Sequence, residues 1–353
     1  MFKFCFSVLT LFLFASPLWA ASASVESHLT QHLDALLRQD TPHPFNGAVL
    51  ITKGKQVLYG KAWGQANRSR NTPLALDSQF IIGSISKQMT AAIVLREADN
   101  GRLRLGAPIK TYLPNLTETW ANVVTVEQLL NHTSGIDKLD APLRSQPGTV
   151  FVYTNLEYDL LGSIVEKTSG KSFTANADSI FKTCGMNRTS VPPSGTISAL
   201  QKLLPHLATG YTEESDGTLK TEDSNRDATT NPSGGIISTV GDLQRWNTCL
   251  HGGKLLKALT YRAMITPTPS AKRSHRWGVL GYGLGIQVSA REGLLELSHS
   301  GYVPGYISTL IYYPQQQVSV VVLENTAWLS SDISRVFSVH DRLREIIRNM
   351  IMG

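Results

Sequence analysis

The sequence contains few cysteines and no recognisable motif for a metal ion or a nucleotide. Only 3 cysteines occur in 353 residues, and no spacing of Cys and His is typical of a zinc site. Neither a His-Glu-x-x-His pattern nor a glycine-rich phosphate loop is present. These absences exclude a zinc-finger scaffold and a P-loop enzyme, and we expect the protein to need no metal and no cofactor.

Long basic runs are also absent, although the formal net charge is +6 and the isoelectric point is near 9.2. The densest groups of cations are Lys272 and Arg273 with Arg276, and four arginines near the C-terminus. Such dispersed charges are typical of solvated surfaces, whereas nucleic-acid binding usually needs a continuous basic patch. We therefore expect no nucleic-acid partner.

The N-terminus has the pattern of a secretory signal peptide. Lys3 precedes an apolar run from Phe4 to Ala15, and small residues follow at 20–23. The run is too short to span a membrane, so we expect no membrane contact beyond this segment. The pattern predicts cleavage after Ala20 or Ala23 and a secreted or periplasmic protein.

Removal of residues 1–23 would leave two cysteines, Cys184 and Cys249. Each lies beside apolar neighbours, where a buried free thiol is a common state. An exported protein can also form a disulfide between them. We favour the free thiols and keep the disulfide as the alternative.

Strand patterns lie near both ends of the chain, with a helical region between them. The strands are predicted at 47–51, 56–62, 284–288, 294–298, 306–313 and 318–323. These patterns predict an α/β (α+β) fold with one antiparallel sheet flanked by N- and C-terminal helices. We divide residues 24–353 into a sheet lobe (24–105 and 231–353) and a helical lobe (106–230). A cleft between the lobes is the expected substrate site.

Ser84 and Lys87 are the first candidate catalytic residues. Apolar residues at helical spacing follow Ser84, so the pattern predicts that Ser84 lies near a helix N-terminus with Lys87 one turn further on. A serine there has free backbone N–H groups nearby and an amine that can take its proton. Taken alone, Ser84 has a simple alternative role as a helix cap.

Two later motifs change the interpretation of this pair. They are Tyr153-Thr154-Asn155 and His299-Ser300-Gly301. A further segment, Leu129-Leu130-Asn131-His132-Thr133-Ser134-Gly135-Ile136, lies between Lys87 and Tyr153. Together these motifs resemble those of the penicillin-recognising serine hydrolase superfamily. The most similar branch comprises class C β-lactamases, D-alanyl-D-alanine carboxypeptidases, esterases and D-aminopeptidases. The resemblance runs from about residue 45 to the C-terminal helix, and it implies the β-lactamase/transpeptidase-like fold.

The resemblance also implies a role for each motif residue. Ser84 would be the nucleophile, and the backbone N–H groups of Ser84 and Tyr302 would form the oxyanion hole. Asn155, His299 and Ser300 would bind substrate, and Gly301 would allow a close approach of the strand. In class C β-lactamases a lysine opens the third motif, where this chain has His299. A neutral histidine gives less support to a tyrosinate, so we favour Lys87 as the base and Tyr153 as the relay to the leaving group.

Several activities fit this set of residues. We favour a D-Ala-D-Ala carboxypeptidase-like peptidase that acts on cell-wall peptides. An esterase or a D-aminopeptidase/amidase is the alternative, followed by a class C β-lactamase, which needs a permanent cation for the substrate carboxylate. A muropeptide-binding envelope protein is the non-enzymatic alternative. The expected partner is a small molecule or peptide, namely an acyl-D-amino acid, an ester or a β-lactam.

Overall fold

The structure is a computed structural model that describes the backbone of residues 17–353 and the side chains of residues 27–353. Of the predicted signal peptide, residues 1–16 lie outside the described residues, and residues 17–23 begin a helix that continues to Leu37. Within 17–353, no helix combines the length and the apolar character needed to cross a membrane.

Helices and strands follow one another along the whole described chain. The strands are β1 (Gly47–Lys53), β2 (Gln56–Trp63), β3 (Gln65–Asn67), β4 (Thr72–Pro73), β5 (Phe80–Ile81), β6 (Gly195–Thr196), β7 (Tyr211–Glu213), β8 (Leu219–Thr221), β9 (Asn225–Arg226), β10 (Ile237–Ser238), β11 (Lys272–His275), β12 (Gly278–Tyr282), β13 (Gln287–Arg291), β14 (Leu294–Val303), β15 (Tyr306–Tyr313), β16 (Val318–Glu324) and β17 (Thr326–Ala327). The α-helices are α1 (Pro17–Leu37), α2 (Ser86–Asp99), α3 (Val126–Leu130), α4 (Leu156–Ser169), α5 (Phe173–Cys184), α6 (Ile197–Leu203), α7 (Val240–His251), α8 (Ala258–Met264), α9 (Ile333–Val336) and α10 (Ser338–Met352). Single turns of 3₁₀-helix lie at Gly83–Ile85, Ile109–Thr111, Thr119–Asn122 and Ala228–Thr230, and a π-helical turn lies at Asn231–Gly235.

Eight of these strands form one antiparallel sheet in the order β11-β12-β13-β14-β15-β16-β1-β2. The N-terminal hairpin joins the C-terminal strands through β1 and β16, whose register pairs Gly47 with Glu324 and Lys53 with Val318. The prediction of a single antiparallel sheet built from both ends of the chain is therefore confirmed.

The central strands are covered on both faces, which explains their nearly continuous apolar sequences. Every residue of β16 is buried. Its side chains alternate between two cores, because successive residues of a strand point to opposite faces. Val320 and Val322 pack with α1 and α10, whereas Val321 and Leu323 belong to the larger core that includes α2 and α7.

Some elements differ from the sequence predictions. A strand predicted at 284–288 lies at Gln287–Arg291, and residues 272–282 form the hairpin β11-β12 at the sheet edge, which no sequence pattern indicated. The last helix is interrupted at Phe337, where α9 ends and α10 begins. The region between α2 and β10 is largely helical, as expected, and contains α3 to α6, but it also contains the short strands β6 to β9.

The prediction of free thiols is wrong, because Cys184 and Cys249 form a disulfide. Both residues are buried among apolar side chains, as expected. Helix α5 packs on α7, however, and brings the two Cα atoms within 5.4 Å across a separation of 65 residues. Only this helix packing could reveal the pairing.

We expect the double substitution Cys184→Ala/Cys249→Ala to lower the free energy of unfolding by about 4 kcal/mol, the chain-entropy value for a loop of this length. Neither cysteine lines the cleft that contains Ser84, so activity at 25 °C should change little. Urea unfolding of the variant and of the wild type, each with and without reductant, measures the difference. Equal stability of the variant and the wild type in the absence of reductant would contradict the prediction.

Candidate active site

The backbone adopts a left-handed conformation at Gly83, just before Ser84. Gly83 has a φ of +53°, and an added Cβ would lie 3.0 Å from Gly301 Cα and 3.0 Å from Tyr302 N. Such a conformation and such close contacts favour glycine. A 3₁₀ turn over Gly83–Ile85 then leads into α2. Ser84 therefore lies in this 3₁₀ turn, just before the α-helix begins at Ser86.

Lys87 lies on the first turn of α2 and its side chain is fully buried. Its Nζ is 3.2 Å from Ser84 Oγ, 2.7 Å from Asn155 Oδ1 and 2.7 Å from the Ser233 carbonyl oxygen. The two carbonyl oxygens each accept one N–H. The remaining position of the amine therefore faces the Ser84 hydroxyl, where a neutral amine can accept a proton.

Asn155 and Ser233 thus take part in holding the lysine. Asn155 precedes α4, and its amide oxygen contacts Lys87 while the residue also lines the cleft. Ser233 belongs to the π-helical turn, and its carbonyl contact was not predicted from the sequence.

The Tyr153 ring lies beside two basic side chains. Lys87 Nζ is 4.9 Å from the ring centroid, and Arg273 Cζ is 4.6 Å from it. Cations at such distances are attracted to the negative face of an aromatic ring. The structure therefore brings Ser84, Tyr153 and Asn155 together in the wall of one cleft, with the buried Lys87 amine against Ser84 and Asn155.

The third motif lies on β14, and this strand passes directly against the Ser84 turn. A Cβ added to Gly301 would lie 2.3 Å from the Ile82 carbonyl oxygen and 3.0 Å from Ser84 N. Gly83 makes the reciprocal approach to Tyr302 N. The backbone nitrogens of Ser84 and Tyr302 are therefore close to each other, as two donors of an oxyanion hole must be.

His299 does not reach the cleft. Its side chain is fully buried, its Nδ1 donates to the Ser300 carbonyl oxygen at 2.8 Å, and its Nε2 accepts from the Tyr282 hydroxyl at 2.9 Å. Burial, followed by the charges of Arg273 and Lys87, holds the pKa of His299 well below its usual value. The ring is therefore neutral, and this placement gives no support to the prediction that it binds substrate.

The cleft itself has a volume of about 310 Å³. Its walls are formed by Ser84, Tyr153, Asn155, Arg273, Ser274, His275, Arg276, Ser300, Tyr302, Ile333 and Phe337. Of the predicted substrate-binding residues, Asn155, Ser300 and Tyr302 line it, whereas the buried ring of His299 does not. Within residues 27–353, no group of three or more His, Cys, Asp or Glu side chains is arranged to hold a metal ion.

Two arginines from the β11-β12 region, Arg273 and Arg276, line the cleft, and only Arg273 leaves it with an uncompensated positive charge. Arg276 is neutralised by an ion pair with Asp341 at 2.7 Å and donates to Ser300 Oγ at 3.2 Å. Arg273 makes no ion pair with a carboxylate of the described residues, and no Asp or Glu is among the lining residues. The sequence shows these arginines as a small basic cluster, which we had interpreted as solvated surface.

Comparisons with known proteins match most of the chain. A family model described as Beta-lactamase matches residues 33–334. The putative penicillin-binding protein PbpX of Bacillus subtilis is 27% identical over 302 residues, which cover 80% of this chain and 71% of that protein.

Solved structures with the same fold include two hydrolases. The D-amino acid amidase of Ochrobactrum anthropi SV3, solved with D-phenylalanine, has a TM-score of 0.74 and 21% identity, covering 91% of this chain and 99% of that one. The D-alanine carboxypeptidase AmpC of Burkholderia cenocepacia has a TM-score of 0.71 and 21% identity, with coverage of 91% and 99%.

We expect Gly301→Ala to lower activity by more than about 100-fold, because a shift of the strand by the contacting methyl group displaces the neighbouring nitrogens of Ser84 and Tyr302. Gly106→Ala is the matched control, since a Cβ there meets nothing within 4 Å. Steady-state kinetics on a short-chain ester and on a β-lactam would measure both variants. Wild-type kinetics for Gly301→Ala would disprove the close approach.

Proposed function

Because this chain belongs to the Beta-lactamase family and is a serine hydrolase, we propose that it acts through an acyl-enzyme on Ser84 and cleaves D-amino acid peptides of the cell wall. The observation that carries this proposal is the buried Lys87 amine, which faces Ser84 Oγ at 3.2 Å while two carbonyl oxygens hold its other N–H groups. We further propose that residues 1–23 are removed on export.

In the acylation step, Lys87 Nζ takes the Ser84 proton as Oγ attacks the scissile carbonyl carbon. The backbone N–H groups of Ser84 and Tyr302 donate to the oxyanion that forms. One such donor contributes roughly 3 kcal/mol to transition-state stabilisation. As the C–N bond breaks, Tyr153 passes its hydroxyl proton to the leaving nitrogen and takes in its place the proton that Lys87 received from Ser84. The Lys87 amine is then neutral again, and the acyl group remains on Ser84 as an ester.

In the deacylation step, a water molecule attacks the ester carbonyl carbon. The same base removes one proton from this water, and the Ser84 oxygen leaves and regains a proton. The products are the free acid and the restored enzyme. The same pair of backbone donors stabilises both tetrahedral intermediates, since each forms at the same carbon.

The charge of the cleft favours a substrate with a free carboxylate. Arg273 is a permanent cation whose described contact is the Tyr153 ring, so its N–H groups are available to an anion. A D-aminopeptidase substrate has an α-ammonium group that would need a carboxylate, and the cleft lining includes no Asp or Glu. A carboxypeptidase-like activity therefore fits the cleft better than an aminopeptidase.

An esterase is the second candidate, because part of the cleft is apolar. Ile333, Phe337 and Tyr302 line it, and Ile333 is 46% exposed. These side chains suit an apolar acyl group as well as a peptide. A class C β-lactamase and a muropeptide-binding protein remain as outcomes that the following experiment separates.

We expect a fluorescent penicillin to label the wild-type protein stably on Ser84, because the ester that a peptidase forms with a penicillin hydrolyses slowly. Ser84→Ala should remove the label completely. Ser86→Ala is the control, since its hydroxyl bonds to Ile236 N and not to Lys87. Intact-protein mass spectrometry and gel fluorescence measure the adduct.

Other results of this experiment would identify the other activities. Rapid turnover of the penicillin indicates a β-lactamase, and ester hydrolysis without labelling indicates an esterase. The absence of both labelling and hydrolysis with every substrate would contradict the enzymatic proposal. Labelling of Ser84→Ala would contradict the choice of nucleophile.

We expect Arg273→Gln to lower kcat/KM about 10- to 100-fold on a peptide ending in D-Ala-D-Ala, the effect of losing one charged hydrogen bond. The same peptide with a C-terminal amide should be cleaved by the variant as by the wild type. Lys272→Gln is the matched control, because the neighbouring Lys272 is exposed and does not line the cleft. An equal loss on both peptides would show that Arg273 acts on Tyr153 and not on the carboxylate.

A further inference from the structure

A buried pair of titratable residues lies outside the cleft, close to Tyr153. Glu157, on the first turn of α4, and His132, just after α3, are both fully inaccessible to solvent. Glu157 Oε2 is hydrogen-bonded to His132 Nδ1, and the Ser134 hydroxyl donates to Glu157 Oε1. Neither member of the pair is among the residues that line the cleft, so neither is placed to touch substrate.

The pair is joined to Tyr153 through both ring packing and the backbone. The centroids of the His132 and Tyr153 rings are 4.4 Å apart. The His132 carbonyl oxygen also accepts a hydrogen bond of 2.8 Å from Val152 N, one residue before Tyr153. The buried His132 therefore supports Tyr153 in two ways, by packing against its ring and by holding the backbone just before it.

The backbone of His132 adopts a conformation that needs support. Its φ of +59° lies in the left-handed region, which a non-glycine residue occupies at a cost. The hydrogen bond to Glu157 and the packing of the imidazole against Tyr153, Tyr158 and Tyr282 offset this cost. Removal of Glu157 therefore frees both the ring and the turn that position Tyr153.

Electrostatics favour an uncharged pair. Burial, and after it the charge of Lys87, holds the pKa of His132 well below its usual value, while burial raises the pKa of Glu157 well above its usual value. A protonated Glu157 donates to His132 Nδ1, and the imidazole keeps its proton on Nε2, which has no hydrogen-bond partner among the described residues. The pair can therefore hold Tyr153 without adding net charge beside Lys87.

We propose that Glu157 and His132 are positioning residues that hold the Tyr153 ring beside Lys87 and so set the rate of acylation without contributing to substrate binding. This inference rests on the proposed roles of Ser84 and Tyr153. It assigns a function in the reaction to a pair that is otherwise only part of the buried core.

The test measures the acylation rate constant and the binding constant for a fluorescent penicillin. Glu157→Met fills similar space without the hydrogen bonds and should lower the acylation rate about 10- to 100-fold, the cost of a displacement of about 1 Å at a reacting group. The binding constant should change less than about twofold. Glu157→Gln keeps a donor for His132 and an acceptor for Ser134, so it should restore most of the rate.

A double-mutant cycle shows whether the pair acts through Tyr153. In a Tyr153→Phe background, which already lacks the relay hydroxyl, Glu157→Met should lower the acylation rate no further. If Glu157→Met does not fold, His132→Asn replaces it in the cycle, because asparagine tolerates a positive φ. Losses that add in the cycle would overturn the inference. So would a wild-type acylation rate for both Glu157→Met and His132→Asn.

Glu166→Ala controls for a general loss of stability on the same helix. Its carboxylate accepts a hydrogen bond from Phe173 N at the start of α5, and Glu166 is not among the residues that line the cleft. It should lower Tm and leave the acylation rate unchanged. Labelling that persists in Ser84→Ala would overturn the proposed function, whereas additive losses with Ser84-dependent labelling overturn only the role of the pair.

Discussion

The amine of Lys87 is the centre on which the arrangement depends. A fully buried amine needs a polar partner for each of its hydrogen-bonding positions, because an unpaired buried polar group is costly. Three separate parts of the chain supply these partners: the turn before α2, the start of α4 and the π-helical turn at Asn231–Gly235. Satisfying one side chain therefore fixes the relative positions of three segments, and the same contacts aim the amine at Ser84.

The sheet contributes to the site mainly because the backbone of β14 lies close to the Ser84 turn, and less through its side chains. Strand β14 pairs with β13 up to Ser298 and with β15 from Leu297 to Val303, so β15 holds Gly301 in register. This rigidity allows Gly301 to approach the Ser84 turn so closely that no Cβ fits between them. Two backbone nitrogens can then be held in fixed positions by elements whose stability comes from the large apolar core, as electrostatic stabilisation of a transition state requires.

The positive charge of the cleft comes from the β11-β12 hairpin and not from the first position of the third motif on β14. At the first position of the third motif, His299 is buried and neutral, and it holds the strand through Ser300 and Tyr282. The neighbouring hairpin contributes Arg273, which reaches the Tyr153 ring, while Arg276 is occupied by Asp341. A cation delivered from another strand can serve the same cleft, because substrate recognition depends on where the charge lies and not on its position in the sequence.

The sequence by itself determined the features that depend on local pattern. Apolar periodicity indicated the helix after Ser84 and the buried central strands, and the spacing of Ser84 and Lys87 put both on one turn, because these features repeat within a few residues. Only the tertiary structure decided the pairing of Cys184 with Cys249, the burial of His299, the position of Arg273 and the contact of Glu157 with His132. Each of these joins residues far apart in the chain, and their meeting depends on how whole helices and strands pack, which no local pattern of residues encodes.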